Sequence, residues 1–246
     1  MTFWDHLDEL RSVLIRCAAI VVVFAVVAFC FRDELFSIVL APKETDFFTY
    51  QFLRTLGTDP GNFQVDLINT ALARQFVIHI QMSFAAGVIV ASPYLLFEFF
   101  RFISPALYEH ERKYFIPALS GSYLMFVLGA LVSYFILFPL TFRFLGTYQV
   151  NAEVVNMITL DSYISTLLSL TLAMGLIFEL PVVCWVLGRL GILTAPMLRS
   201  FRRHAIVVIL IVAAVITPTG DAFTLFVVSL PIFLLYEASI LLLPRE

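Results

Sequence analysis

The sequence is short of charge. Only 13% of its 246 residues are Asp, Glu, Lys or Arg, about half the share usual in a soluble domain. That excludes an ordinary water-soluble globule. With 61% hydrophobic residues and a mean hydropathy of +0.97, the chain reads as a polytopic membrane protein. Its formal net charge of -3 says little, because placement of charge matters more than its sum in such proteins. Cysteine is scarce as well. Cys17, Cys30 and Cys184 fall inside or at the ends of apolar runs, with neither metal-ligand spacing nor a framework of pairs, which leaves them as packing residues. His6, His79, His110 and His204 lack HExxH-type spacing, and there is no phosphate loop or GxSxG elbow. No catalytic residues, metal, cofactor or nucleic acid are expected. A membrane enzyme is poorly supported.

What remains is organised by apolar runs. The length leaves room for roughly six spans of about 20 residues plus one sizeable loop. The expectation is a single integral membrane domain over 1–246, all-α, with spans near 12–31, 76–100, 117–138, 162–187, 205–216 and 223–243. Residues 1–11 form a lead-in in which Trp4, Leu7, Leu10 and Leu14 recur at helical spacing, which predicts an amphipathic helix at the interface. The first apolar run has no small-residue cleavage site, so it reads as a permanent helix. Residues 32–75 are punctuated by Pro42, Gly57, Pro60 and Gly61 and predict short helices and turns lying on the membrane as an outer cap. Pro139 is expected to close the third span, and 188–204 to form a loop. The fifth run has 12 residues and covers about 18 Å, short of the roughly 30 Å hydrocarbon core. Pro231 breaks the sixth. Together these predict local thinning of the bilayer.

Orientation follows from the basic residues. Ten Lys and Arg fall on the side holding both termini, the 101–116 hairpin and the 189–204 loop, against five on the other side. The positive-inside rule puts both termini in the cytoplasm.

A few polar residues resist a scaffold explanation. Glu179, directly before Leu180 and Pro181, lies deep in the fourth run, and intramembrane carboxylates face a bundle interior, a partner or a water-filled cavity. Glu98 and Glu237 stand near span ends and could simply reach an interface. Asp221 ends a tight outer turn, where Asp bonds its own backbone or caps the next helix. Glu9 in the lead-in and Glu111 in the hairpin both sit near the membrane surface, placed to accept bidentate hydrogen bonds from guanidinium groups. Composition alone favours a merely solvated face for that pair. Besides the reading that the motifs below support, the residues leave open a structural membrane subunit and a secondary transporter of a small solute or ion using Glu179. Against the transporter, no matched halves or paired helix interruptions are evident.

Several stretches then spell one pattern, in order, over essentially the whole chain: HLDELR at His6–Arg11, Leu40-Ala41-Pro42, FISPALYEHERK at Phe102–Lys113, FELPVV at Phe178–Val183, and TPTGD at Thr217–Asp221. The sequence resembles the TatC family, the multispanning subunit of the twin-arginine protein translocase. The resemblance implies a glove-like fold of six transmembrane helices in the bacterial cytoplasmic (inner) membrane. It implies a signal-peptide receptor and translocase core driven by the proton-motive force, exporting folded proteins. Partners would be small single-span TatA-type and TatB-type subunits, twin-arginine signal peptides, membrane lipid and further copies of the chain. Carried over residue by residue, the resemblance makes Glu9 and Glu111 the acids that meet the paired arginines. Phe102, Pro105, Leu107, Tyr108 and Arg112 would share their surface. Glu179 becomes the intramembrane polar site and partner contact, and Pro42 and Asp221 serve architecture or assembly. The long outer loop, with the insertion-like Lys43–Phe63, departs from the pattern.

Overall fold

The computed structural model describes residues 3–55, 57, 65–103, 115–149, 151, 156–217 and 219–243. The chain is helical almost throughout, as apolar runs without water to satisfy their backbone require. In order come α1 (Phe3–Cys30), α2 (Arg32–Leu40), a 3-10 turn (Ala41–Lys43), α3 (Phe48–Thr55), β1 (Leu67–Ile68), α4 (Arg74–Ile103) and α5 (Phe115–Val132). A π-helical segment (Ser133–Leu137), α6 (Phe138–Thr147), β2 (Ile158–Thr159), α7 (Leu160–Ile177), α8 (Leu180–Arg189), α9 (Ala195–Ile216) and α10 (Ala222–Leu242) follow. The two short strands pair in parallel, Leu67 with Ile158 and Ile68 with Thr159.

Cross-chain contacts define two faces. The cap face carries α2, α3 and the paired strands. The opposite, terminal face carries the start of α1 and the end of α10. Helix α1 packs along α4, and their close approach is set at Gly87: a methyl there would lie 2.8 Å from the Ala25 nitrogen and 2.9 Å from the Val21 carbonyl. Likewise a methyl on Gly129 of α5 would meet the Met174 carbonyl of α7 at 2.5 Å. Small residues let helix backbones approach where there is no water-driven burial to hold them. Around α7 sits the core, with Ile78, Met82, Phe138, Ile164, Leu170, Met174, Val228 and Ile232 nearly inaccessible. Phe138 and Phe142 each meet the Tyr163 ring edge-on at 4.9 Å.

Helix boundaries differ from the expected spans at three places. The lead-in is not a separate interfacial helix, because α1 runs unbroken from Phe3 to Cys30; no Gly or Pro interrupts that stretch. Pro139 does not close the third run. It lies in the first turn of α6, which continues to Thr147, and the π segment just before it loosens the ladder where the proline lacks an N–H. Residues 195–204 are not loop but the start of α9, with Pro196 in its first turn, where proline is well tolerated.

Among the described residues, five helical stretches are long and apolar enough to cross a membrane: Leu7–Cys30, Arg74–Phe102, Ile116–Thr147, Leu160–Arg189 and Ala222–Leu242. Helix α9 is 22 residues long, but its early turns carry Arg199, Arg202 and Arg203, so its apolar part is short. The protein is an all-α, multi-pass membrane protein.

Candidate functional site

On the terminal face, Glu9 lies on α1 and is half-buried, and its Oε2 atom is inaccessible with no hydrogen-bond partner among the described residues. Two turns further along α1, the Arg16 guanidinium donates to Glu98 Oε2 on α4 at 2.8 Å. The Tyr94 hydroxyl donates to Glu98 Oε1 at 3.0 Å, and Arg101 stands 3.9 Å from the same oxygen. Phe102 follows Glu98 by one turn, half-buried at the end of α4. Pro105, Leu107, Tyr108, Glu111 and Arg112 lie outside the described residues.

Inside the bundle, Glu179 occupies the turn between α7 and α8. Its N–H donates to the Leu176 carbonyl at 3.1 Å, and its carbonyl accepts from Val183 at 2.9 Å. Pro181, in the first turn of α8, cannot donate a backbone hydrogen bond, and the helix is reset here. The Ser122 hydroxyl of α5, itself fully buried, donates to Glu179 Oε2. Oε1 is buried with no hydrogen-bond partner among the described residues. A carboxylate with one oxygen held and the other unmet is an acceptor poised for one more donor. Also on α5, Pro117, Ser120, Gly121, Tyr123, Leu124 and Val127 line a largely apolar cavity of about 510 Å³.

On the cap face, Pro42 is buried in the 3-10 turn. The Tyr50 hydroxyl donates to its carbonyl at 3.2 Å and to that of Pro139 at 3.1 Å. Tyr163 donates to the Val39 carbonyl at 3.0 Å and Tyr134 to that of Ile38 at 2.6 Å, while Thr49 donates to the Phe135 carbonyl. Burial pushes the Tyr50 phenol up against a smaller opposing pull from Arg143, so it stays a donor. Arg74 at the head of α4 pairs with Asp161 at the head of α7. Asp221 caps α10, its Oδ1 accepting from the Thr224 N–H at 2.7 Å and its Oδ2 from the Thr219 hydroxyl at 2.6 Å. Burial would push that carboxyl up; the hydrogen bonds from Thr219 and Thr224 outweigh it and hold it below the usual range.

The structure therefore brings Glu179 together with Ser122, and Glu98 with Arg16, pairs that reading the chain linearly does not suggest. Ser122 had no signal beyond being a small polar residue in an apolar run. Glu98 was visible as an acid near a span end, but its partner Arg16 follows only from the packing of α1 along α4. Among the described residues, no group of three or more His, Cys, Asp or Glu could hold a metal ion.

A family model described as TatC, Sec-independent protein translocase protein, matches residues 5–231. The Sec-independent protein translocase protein TatC of Aquifex aeolicus is 39% identical over 245 residues, spanning 98% of this chain and 94% of that protein. Its counterpart in Deinococcus radiodurans is 36% identical over 239 residues, spanning 97% and 84%. A crystal structure of the twin arginine translocase receptor TatC in the detergent DDM superposes with a TM-score of 0.82 at 38% identity, covering 98% of this chain and all 100% of that one. A second crystal structure of that receptor gives 0.79 at 39% identity, covering 96% and 97%.

Proposed function

Because the chain belongs to the TatC family of Sec-independent protein translocase proteins, we propose that its terminal face is where twin-arginine signal peptides dock, with Glu9 and Glu111 as the acids that receive the paired arginines. The protein is the twin-arginine signal-peptide receptor and core subunit of the translocase, a transport component and not an enzyme. That membership displaces the solute-transporter alternative. The finer assignments follow from it as proposals.

The observation that carries the docking reading is the Glu9 carboxylate, whose Oε2 is buried and unmatched among the described residues. An unpaired buried acceptor costs about 1–3 kcal/mol, and a guanidinium, with its fork of donors, is suited to remove that cost. In the headgroup region the attraction is stronger than in bulk water. Phe102, Pro105, Leu107, Tyr108 and Arg112 would complete the surface around Glu111. The apolar part of the signal would then lie along the bundle toward Glu179, past the cavity on α5. Glu179 Oε1, buried and unmatched, suits a polar side chain from a TatA-type or TatB-type single-span subunit. Pro42 and Asp221 would serve assembly through the cap face. In this reading α9 is a short fifth span that brings the total to six, the fold is glove-like, both termini face the cytoplasm of a bacterium, and copies associate in a receptor complex.

The test is binding of a twin-arginine peptide to the purified protein, with export of a folded twin-arginine reporter in a deletion strain complemented by this chain. Glu9→Gln and Glu111→Gln should each weaken peptide binding while the helical content stays intact. Unchanged crosslinking of the peptide in both variants would sink the assignment.

A further inference from the structure

Helix α9 presents two different faces along its length. Toward the bundle it turns Ala195, Leu198, Ala205, Ile209, Val212, Ala213 and Ile216. On that side the Leu198 carbonyl accepts from Tyr236 at 2.6 Å and Arg202 reaches Glu237 of α10 at 2.5 Å. At about 100° per residue, a second stripe lies roughly a quarter-turn away. It reads Arg199, Arg203, Ile206, Leu210 at spacings of four, three and four. All four are exposed. Two guanidiniums thus stand one turn apart at the head of an uncovered apolar track.

Charge around them is one-sided. No Asp or Glu occurs between Glu179 and Asp221. Glu237, the acid on the neighbouring helix, is already taken by Arg202, and among the described residues neither Arg199 nor Arg203 forms an ion pair. Depth matters equally. From Arg203 to the end of α9 the rise is about 20 Å, less than the roughly 30 Å hydrocarbon thickness. An arginine at that depth must draw polar groups inward. The bilayer's own supply is the lipid phosphate.

We propose that the Arg199–Arg203 pair is a binding site for an anionic phospholipid, its phosphodiester held between the two guanidiniums and its acyl chain along Ile206 and Leu210. Planar guanidiniums match phosphate oxygens with paired donors. A lipid whose headgroup bears a cationic amine brings positive charge toward two arginines that have no acidic partner among the described residues, so a phosphatidylglycerol-type headgroup is selected. The inference rests on α9 crossing the bilayer as the fifth of six spans.

The experiment is native mass spectrometry of the full chain in detergent, with phosphatidylglycerol, phosphatidylcholine or inorganic phosphate added. The wild type should retain phosphatidylglycerol in preference to phosphatidylcholine. The double variant Arg199→Gln/Arg203→Gln should lower that retention about tenfold, the equivalent of roughly 1.4 kcal/mol, whereas Arg32→Gln on the cap face should not. Equal retention in the double variant, equal retention of phosphatidylcholine, or displacement of the lipid by inorganic phosphate would each overturn the site. So would loss of a single-span partner subunit with lipid retention unchanged, which would give the stripe to a protein. Failure of the premise that α9 spans reads out separately: Ile206→Cys, in a chain whose own cysteines are replaced by serine, would then react with a water-soluble maleimide in intact membranes.

Discussion

Arg16 of α1 and Glu98 of α4 are joined by a 2.8 Å ion pair in which the carboxylate is only 2% exposed. Glu9 stands seven residues before Arg16 on one helix, and Phe102 four residues after Glu98 on the other. Seven and four are both helical repeats, so each pair shares a face of its helix. The ion pair therefore holds the register between the two sides of the proposed docking face. Gly87 holds it again further along, through backbone contact with Val21 and Ala25.

Breaking that register should move peptide affinity as well as stability. Arg16→Gln and Glu98→Gln are each expected to lower the melting temperature in detergent and to weaken twin-arginine peptide binding several-fold. The swap Arg16→Glu/Glu98→Arg should recover both in part. Full binding in both single variants, measured by fluorescence anisotropy of a labelled peptide, would show that register is immaterial to recognition.

Ser122 should act through Glu179. Ser122→Ala removes one buried hydrogen bond, worth about 1 kcal/mol, and leaves the carboxylate free to turn. Export of a folded reporter should fall about fivefold, less than in Glu179→Ala. Ser122→Thr, which keeps the hydroxyl, should restore part of the rate. A Ser122→Ala strain exporting at the wild-type rate would remove the serine from the pathway.

Asp221 offers a pH signature. Its carboxyl is held below the usual range by Thr219 and Thr224, so the folded state favours the charged form. The stabilisation is then fully present above the unfolded carboxylate value of about 3.9, and it is lost as pH falls through the lowered folded value. Asp221→Ala should cost about 1 kcal/mol at neutral pH. Asp221→Asn keeps the acceptor and should flatten the acid limb of a melting-temperature profile. A profile with the same acid limb in Asp221→Asn would mean that another carboxylate controls it.

Tyr50 should anchor the cap. Tyr50→Phe removes donation to the Pro42 and Pro139 carbonyls without changing volume, at a cost of about 1–3 kcal/mol for acceptors left buried. Limited proteolysis should cut within 44–66 faster in this variant than in wild type, with cleavage elsewhere unchanged. Equal cutting rates would leave the cap held by its apolar contacts alone.

Much of this was legible in the chain. Long apolar runs announced the helices, because only intrasegment hydrogen bonding satisfies a backbone in lipid. Glu179 announced itself by its cost in that setting, and Asp221 by its turn. What was not legible depends on neighbours distant in sequence. Glu98 read as an end-of-span acid until Arg16 stood opposite it, and Ser122 acquires meaning only through Glu179. Arg199, Arg202 and Arg203 read as a loop because charge density masked the helical phase that continues into Ile209 and Ala213. Pro139 read as a stop because the π segment that absorbs it leaves no mark in composition.

The hydroxyls that tie the cap to the bundle, those of Thr49, Tyr50, Tyr134 and Tyr163, all end on main-chain carbonyls, at Phe135, Pro42 and Pro139, Ile38, and Val39. A carbonyl is supplied by every residue type. These bonds thus recognise the path of the chain, and side-chain selectivity falls to apolar contacts such as Phe47 stacked on Phe135. An exposed cap residue such as Glu44, whose side chain makes none of these bonds, can therefore change type without loosening the cap, because only its place along the chain matters to the anchors.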